Sequence, residues 1–421
     1  MKILHLSAGN LTGGAARGAY WLHLGLRDLG VDSCLLTNSC LLTNCHERLS
    51  LDGVGTLAET TAHKLKFMML SRFGGLPKYL YRNRKPWIFN TGFEGVDFTK
   101  HPAYKEADLL HLHWINGLVA MRTLRKVNKP VVWTLRDMWP MTGGCHYSMD
   151  CVGYQTGCGQ CPQLNSRSKF DLSRLVVWNK QKSLPDSMRV VGISRWLSEC
   201  AIKSEVFRNF RVQTISNNIN TSEFFPLDQS VARQILGLPA DKKIILIGAQ
   251  SIGDFYKGFD LLSAALKQLN EPGLHIVVFG RAAPALFAAV LHQITPLGFL
   301  SDTISMRLAY SAADVFVAPS RMDAFGKTLA ESMACGTPVV CFDATGPADI
   351  VEHQVTGYKA QPFDSSDLVR GIEWVLSRDN SESQKIRHAS RERAVRLFDS
   401  RVIAKQYLQL YEEMLGQHGA I

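Results

Sequence analysis

The apolar positions of this chain fall into short, nearly continuous runs separated by amphipathic stretches. Lys2–Leu6, Val31–Leu36, Ala107–His113, Pro130–Leu135 and 190–194 are such runs in the first half, and Lys243–Gly248, His275–Gly280, Asp314–Pro319 and Val339–Cys341 in the second. Their length and β-branched content predict strands buried on both faces, the signature of parallel sheets. Between them, Arg17–Leu29 has helical spacing and ends at Gly30, and Gly117–Val127 is expected to be helical. The stretch 327–335, KTLAESMAC, is helical in pattern and is stopped by Gly336-Thr337-Pro338. The alternation of strand and helix predicts an α/β chain with two doubly wound, Rossmann-like domains. The expected layout is 1–215 as the first domain, 216–240 as a linker, 241–400 as the second domain, and 401–421 as a helix crossing back to the first. The turn Asn217-Asn218-Ile219-Asn220 lies in the linker, with Asn218 expected at positive φ.

Composition narrows the class. With 421 residues and 46% apolar content, two sizeable cores can be buried. No apolar run approaches the length of a membrane-spanning helix. The opening MKILHLSAGN is too short and too quickly broken by glycine to read as a signal peptide. Ten cysteines spread over a chain of this length predict a reducing, cytoplasmic setting rather than a disulfide scaffold. The net charge of +10 is uneven: residues 1–240 hold 29 Lys and Arg against 17 Asp and Glu, and the remainder 18 against 20. No zinc-finger, helix-turn-helix or RNA-binding signature accompanies the basic half, so nucleic acid is not an expected partner. Within it, Lys64 to Lys85 holds seven basic side chains and no acid, interleaved with Met, Phe, Tyr and Leu. That composition suits the anionic cytoplasmic face of a membrane, or an ordinary helix packed on the domain. A short direct repeat, SCLLTN within 33–44, carries no evident chemistry.

Two stretches carry candidate chemistry. In TGGCHYSMDCVGYQTGCGQCP, Cys145, Cys151, Cys158 and Cys161 are separated by five, six and two residues. A glycine-flanked CxxC joined by a second pair can hold one tetrahedral ion, for which structural zinc is the leading candidate; an iron–sulfur centre and unligated thiols are the alternatives. In the second stretch, DVFVAPSRMDAFGKTLAESMACGTPVVC, Asp323 precedes the predicted helix and Glu331 lies in its second turn. Between them the amides of Phe325, Gly326, Lys327, Thr328 and Leu329 sit at a helix start, where unpaired N–H groups and the helix dipole attract phosphate. Hydroxylated groups at each acid with phosphates between them describe a nucleoside diphosphate sugar. A helix-capping Asp323 and a solvated Glu331 are the plain alternative.

PSRMDAFGKTLAESMACGTPVV resembles the donor-site signature of the retaining glycosyltransferases of the GT-B fold, family 4 (glycosyl transferases group 1). Asp323 stands where most of that family has Glu. The resemblance implies two Rossmann-like domains facing each other across a cleft, and transfer from a nucleotide sugar with retention of configuration. By the same resemblance Lys257, before Gly258, is a phosphate-binding lysine, and Lys257, Asp323 and Arg136 are the catalytic candidates. Ser251 occupies the place of a second phosphate contact, normally arginine. Arg281 follows the strand His275–Gly280, and the segment Pro296–Leu300, with Leu300, resembles the one whose backbone reads the base. In the first domain Gly13-Gly14 resembles the family's glycine pair facing diphosphate and acceptor. Arg136 replaces the usual histidine near the reacting sugar, leaving His113 and His146 as nearby acceptor-side candidates. The resemblance implies no cofactor for transfer and a glycan or lipid-linked acceptor. TGGCHY followed by CxxCP resembles a subset of the same family. The alternatives are an epimerase or phosphorylase on the same fold, and a non-catalytic sugar-nucleotide or metal-binding protein.

Overall fold

The computed structural model describes residues 1–418 apart from 10, 12, 38–52, 58–68, 70–73, 270–272, 282–289 and 291. Two compact units emerge, Met1–Ile215 with Ile403–Ile421, and Ser216–Val402. Each is built on one parallel sheet. In the first unit β1 (Lys2–Leu6), β2 (Asp32–Thr37), β3 (Val54–Thr56), β4 (Leu109–Leu112), β5 (Val131–Leu135), β6 (Met188–Gly192) and β7 (Arg211–Thr214) stand in the order β3-β2-β1-β4-β5-β6-β7. In the second, β8 (Lys243–Ser251), β9 (Leu274–Arg281), β10 (Gln293–Gly298), β11 (Val315–Ala318), β12 (Val339–Phe342) and β13 (Gly357–Ala360) stand as β10-β9-β8-β11-β12-β13. All the described pairings are parallel. Both sheets therefore wind outward from their first strand in two directions, the doubly wound Rossmann order.

The central strands are buried on both faces, as their apolar runs require: Ile3, Leu4, Leu6, Leu109, Leu110, Val131 and Val132 in one sheet, and Ile244–Ile247, Val315–Val317 and Val339–Cys341 in the other. The last helix, Ser400–His418, presents Ile403, Ala404, Tyr407, Leu410, Tyr411 and Met414 to a cluster containing Ile3, Leu22, Leu26, Leu109 and Val132. That i, i+3, i+4 spacing is the stripe read in the sequence. The stretch 216–240 contains the helix Gln229–Ile235, whose Arg233 donates to the Asp314 carboxylate at 2.8 Å, while Asp314 also accepts from the Ile244 amide at 2.6 Å.

Two local expectations are corrected. Gly117–Val127 is not an α-helix: its described helical part is a 3₁₀ turn, Met121–Lys126. Three lysines and arginines in six positions, with Thr123 and Leu124 buried, give too little apolar stripe for longer helix. Asn218 is not among the residues at positive φ. Instead its amide donates to the Asn217 side chain at 3.0 Å, and both asparagines are buried. A polar side chain turned on the neighbouring backbone replaces the left-handed turn.

The first core carries an unusual polar line. His111 is hydrogen-bonded to the Tyr411 hydroxyl at 2.6 Å and to Thr134 Oγ1 at 2.7 Å, and Thr134 in turn to the Tyr407 hydroxyl at 2.7 Å. His113 lies between His5 Nδ1 at 3.0 Å and Arg136 Nη2 at 3.1 Å. Burial is the first cause that holds His5, His111 and His113 well below the usual histidine pKa of 6.5, and the Arg136 charge acts in the same sense. Neutral histidine is thus built into the fold. Unfolding lets these groups protonate near their ordinary pKa, so their contribution is fully present above pH 6.5 and declines as the pH falls below it. The slope reaches about 1.4 kcal/mol per pH unit for each histidine. Seven of the eight tryptophans lie in the first unit, so urea unfolding followed by tryptophan emission reads this unit. Its midpoint is expected to drop between about pH 7 and about pH 5.5; an unchanged midpoint would contradict the neutral state of these histidines.

Candidate functional site

In the second unit the sheet reverses winding at β8, between β9 and β11. The loops leaving β8 and β11 meet there. Gly258, at φ +67°, begins the helix Phe259–Leu266, and a Cβ on it would stand 2.0 Å from the carbonyl oxygen of Pro319. Only glycine permits this approach. The Arg321 amide donates to the Tyr256 carbonyl at 2.8 Å, and the Arg321 guanidinium makes a two-pronged bond to Asp260, both at 2.6 Å. Held this way, Lys257 Nζ reaches Asp323 Oδ2 at 2.7 Å.

Asp323 also caps the start of the helix Lys327–Ala334. Its Oδ1 accepts from the amides of Phe325 at 3.3 Å and Gly326 at 3.1 Å, and Gly326 takes φ +95° just before the helix. Two of the five amides expected to await a ligand are therefore occupied by the acid. The amide of Leu329 donates to the Gly326 carbonyl at 3.0 Å, as an ordinary first turn. The side chains of Phe325 and Leu329 are buried in the core, Phe325 edge-on to Phe398, so these residues can offer a ligand backbone only. Lys327 and Thr328 are part-exposed at the helix start.

Glu331 is not the solvated acid of the plain alternative. It is 2% exposed, accepts from the Tyr310 hydroxyl at 3.1 Å and lies 3.3 Å from Lys327 Nζ. The structure thus pairs Lys257 with Asp323 and Lys327 with Glu331, one acid and one lysine at each end of the helix start. The remaining donor-side candidates lie on the same edge of the sheet. Ser251 and Arg281 end β8 and β9 as register partners, Arg281 packs over Phe299 at 4.9 Å, and Leu300 follows β10.

In the first unit the corresponding place is the carboxyl edge of β1, β4 and β5. Gly13 caps the helix Gly14–Asp28 at φ −73°, and a Cβ on Gly13 or Gly14 meets nothing within 4 Å. The pair is not demanded by its own backbone; it leaves room. Arg136 is buried, and burial brings its pKa down to about 10, so it remains a cation at neutral pH. As arginine only donates, its bond to His113 Nδ1 puts the His113 proton on Nε2, which then donates to His5 Nδ1. His5 Nε2, buried, is left carrying a proton with no partner among the described residues. His146 belongs to another chain of contacts, with Nδ1 2.6 Å from Asp137 and Nε2 2.7 Å from Asn90, while Trp114 Nε1 donates to Asp137 at 2.8 Å.

Sequence reasoning passed over Asn116 and Asp137. Asn116, in the loop after β4, is buried, yet among the described residues neither its amide nitrogen nor its oxygen has a partner; such a group is costly unless something binds it. The only signal available was its place four residues past a strand end.

The four cysteines are free thiols that line one recess with Phe89, Gly153 and Ser173. Burial raises Cys158 to about 12, with Cys161 and Cys151 acting the same way.

Residues 228–393 match the family model of the glycosyl transferases group 1. The matched stretch lies wholly within the second unit. Across more of the chain, the Escherichia coli (strain K12) protein WcaC, whose name assigns it provisionally to glycosyl transfer in colanic acid biosynthesis, is 26% identical over 276 residues, 63% of this chain and 65% of its own length. The chain thus spans just under two thirds of that relative. D-inositol 3-phosphate glycosyltransferase of Saccharomonospora viridis is 26% identical over 350 residues, 78% of this chain and 74% of its own. Among solved structures, sucrose-phosphate synthase of Thermosynechococcus elongatus superposes with a TM-score of 0.69 at 22% identity, covering 99% of this chain and 100% of that one. Anabaena Alr3699/HepE, solved in complex with UDP-glucose, gives 0.68 at 19% identity, covering 98% and 100%. The fold is therefore GT-B, with two Rossmann-like units.

Lys257 is the residue of the pair to test, because its partner Asp323 also caps the helix and the loss of Asp323 disturbs more than charge. Lys257→Met should lower kcat/KM for the sugar transfer proposed below by about 10²–10³-fold, the scale of one lost charge-stabilising donor. Steady-state kinetics with matched thermal melts checks this; unchanged kcat/KM would remove Lys257 from the site.

Proposed function

We propose that the protein is a glycosyltransferase that moves a sugar from a nucleotide diphosphate sugar to a glycan or lipid-linked acceptor, with retention of configuration. The observation that carries this reading is the Lys257–Asp323 pair set against the start of the helix Lys327–Ala334. A diphosphate arriving there offers Lys257 a better partner than a single carboxylate and meets the positive end of the helix. Asp323, released from the lysine, then accepts a sugar hydroxyl, and Glu331 takes hydroxyls at the far end. The complex of Alr3699/HepE with UDP-glucose and the sugar-transfer names of the relatives support a nucleotide sugar as donor.

In the reaction the bond from the anomeric carbon to the phosphate oxygen breaks. The acceptor oxygen bonds to that carbon on the same face, and its proton passes to the departing diphosphate. Lys257 and the helix start hold the charge that develops on the leaving group, so the reading requires no divalent ion. Arg136, a cation fixed among neutral histidines, suits an anionic acceptor or a phosphate.

Incubation with a panel of nucleotide sugars should give a product with the donor's anomeric configuration, read by proton NMR coupling of the new linkage. Inverted product would overturn retention. Release of 1-phosphate sugar or a changed sugar on the nucleotide would instead make the protein a phosphorylase or an epimerase.

An acceptor held in a membrane suits the surface at 76–88. Leu80 is 84% exposed at the end of the 3₁₀ turn Leu76–Leu80, with Leu76, Tyr79 and Ile88 exposed nearby. Lys78, Arg82, Arg84 and Lys85 surround them, Arg84 lying over Tyr79 at 4.8 Å. Lys64, Lys66 and Arg72 of the basic segment lie outside the described residues. Anionic lipid would meet each cation with roughly 1 kcal/mol, screened within a Debye length. Sedimentation with phosphatidylserine vesicles should be strong at low salt, weak at about 0.5 M, absent with neutral vesicles, and reduced in a Lys78→Gln, Leu80→Glu variant. Protein that stays in the supernatant throughout would favour a soluble acceptor.

A further inference from the structure

The loop 142–165 of the first unit is folded with a precision that sugar transfer does not call for. Four of its non-glycine residues, Met149, Cys158, Gln160 and Asn165, sit at positive φ, as do Gly144, Gly157 and Gly159. Non-glycine residues in this region each cost about 1 kcal/mol or more and persist where their surroundings demand them. What these turns achieve is to point Cys145, Cys151, Cys158 and Cys161 into one recess. Backbone amides are then aimed at the sulfurs. Gly153 N donates to Cys151 Sγ at 3.4 Å, the amides of Gln163 and Leu164 lie against Cys161, and that of Gly143 lies against Cys158. N–H groups two and three residues past a cysteine stabilise negative sulfur far better than neutral thiol.

A second observation comes from the neighbouring helix Leu172–Gln181. Lys180 is fully buried; its ammonium group donates to the carbonyls of Thr142, at 2.8 Å, and Trp139, and lies 3.9 Å from the Trp139 ring centre. Among the described residues it has no ion pair; the sulfurs of Cys145 and Cys158, and more weakly the carboxylates of Asp137 and Glu94, are within electrostatic reach. A buried cation is costly unless a negative charge lies near it. The amides and the lysine ask for the same thing, negative charge on the sulfurs.

We propose that the four cysteines bind one Zn²⁺ as a tetrathiolate and that Lys180 is the charge partner of that site. Four S–H bonds lose their protons to solvent, four Zn–S bonds form and no electrons are transferred, leaving a site of charge −2 beside an ammonium of +1. The ion ties the loop to the sheet and helix that carry it, a structural site independent of the sugar-transfer reading.

The other candidate donor set is His5, His111 and His113, whose ring nitrogens lie within 4.8 Å of one another, closer than the sulfurs stand. Its chemistry is wrong for a cation. Arg136 donates to His113, and both nitrogens of His111 are engaged by Tyr411 and Thr134. The loop has to draw its sulfurs together around the ion, whereas the histidines would have to expel a fixed positive charge.

Metal analysis of full-length protein purified without chelator should find about one zinc per chain. After zinc removal under reducing conditions, added Co²⁺ should give the intense visible bands of a tetrahedral ion and near-ultraviolet sulfur-to-cobalt charge transfer. Cys158→Ser should weaken the charge transfer and shift the visible bands. Lys180→Met, of similar length, should lower Co²⁺ affinity by about 10–100-fold in competition with a chelator, the scale for groups that support metal ligands, while the bands keep their shape. Absence of both zinc and sulfur charge transfer in the wild type overturns the site. So does a cobalt spectrum that disappears in His111→Asn but not in Cys158→Ser. The visible absorption of an iron–sulfur centre in fresh protein overturns zinc, and unaltered affinity in Lys180→Met overturns the charge partner.

Discussion

Everything placed at the site depends on the reversal of winding beside the first strand of each sheet. Chains that leave β8 and β11 must diverge to opposite faces, so no backbone fills the space beyond their carboxyl ends. In the second unit that space is narrowed until two loops touch: Gly258 lies against the Pro319 carbonyl, and Arg321 grips Asp260. With the loops so locked, Lys257 and Asp323, 66 positions apart, become an ion pair. Neither residue need be placed by its own local structure. A side chain at position 258, even a methyl, would separate the loops and the charges together.

The first unit answers the same constraint differently. At the carboxyl ends of β1, β4 and β5 lie His5, His111, His113, Thr134 and Arg136, all buried. Polar groups so placed are tolerable only when hydrogen-bonded, and the partners of His111 and Thr134 come from Tyr411 and Tyr407 in the last helix. That helix is therefore part of the first unit's core chemistry as well as its apolar packing. The 300 positions between His111 and Tyr411 mean that the first sheet completes its core only when the end of the chain is in place.

The central strands were legible because burial on both faces leaves long apolar runs, interrupted only by single polar residues such as His5 and His111, and the last helix because its stripe repeats over three turns; the edge strands β3, β7, β10 and β13, partly exposed, leave no such run. The proposed donor stretch rests on a chemical pattern: an acid, a glycine at a helix start and a second acid eight positions on have few arrangements open to them. What could not be read depends on partners distant in sequence. Glu331 looks like any helix-surface acid until Tyr310 and Lys327 enclose it. Asn218 looks like a left-handed turn residue until the Asn217 side chain captures its amide. The four cysteines announce themselves by spacing, but Lys180, nineteen residues past the last of them, has no local mark at all.

Charge balance links the proposed donor site to its selectivity. Each lysine at the helix start already has an acid, Lys257 with Asp323 and Lys327 with Glu331. A diphosphate can draw a lysine away only by leaving a carboxylate with fewer donors than before. Asp323 keeps the two amides it caps, but its other oxygen loses the ammonium group it faces. Glu331, nearly sealed from water, keeps the tyrosine hydroxyl. A nucleoside diphosphate alone would thus satisfy the lysines and strand the acids, and stranding a buried carboxylate is among the more expensive things a ligand can do. Sugar hydroxyls at one end and ribose hydroxyls at the other supply the missing donors. On the proposed reading the resting ion pairs act as a threshold that phosphate alone crosses poorly and that a ligand with hydroxyls flanking its diphosphate crosses easily.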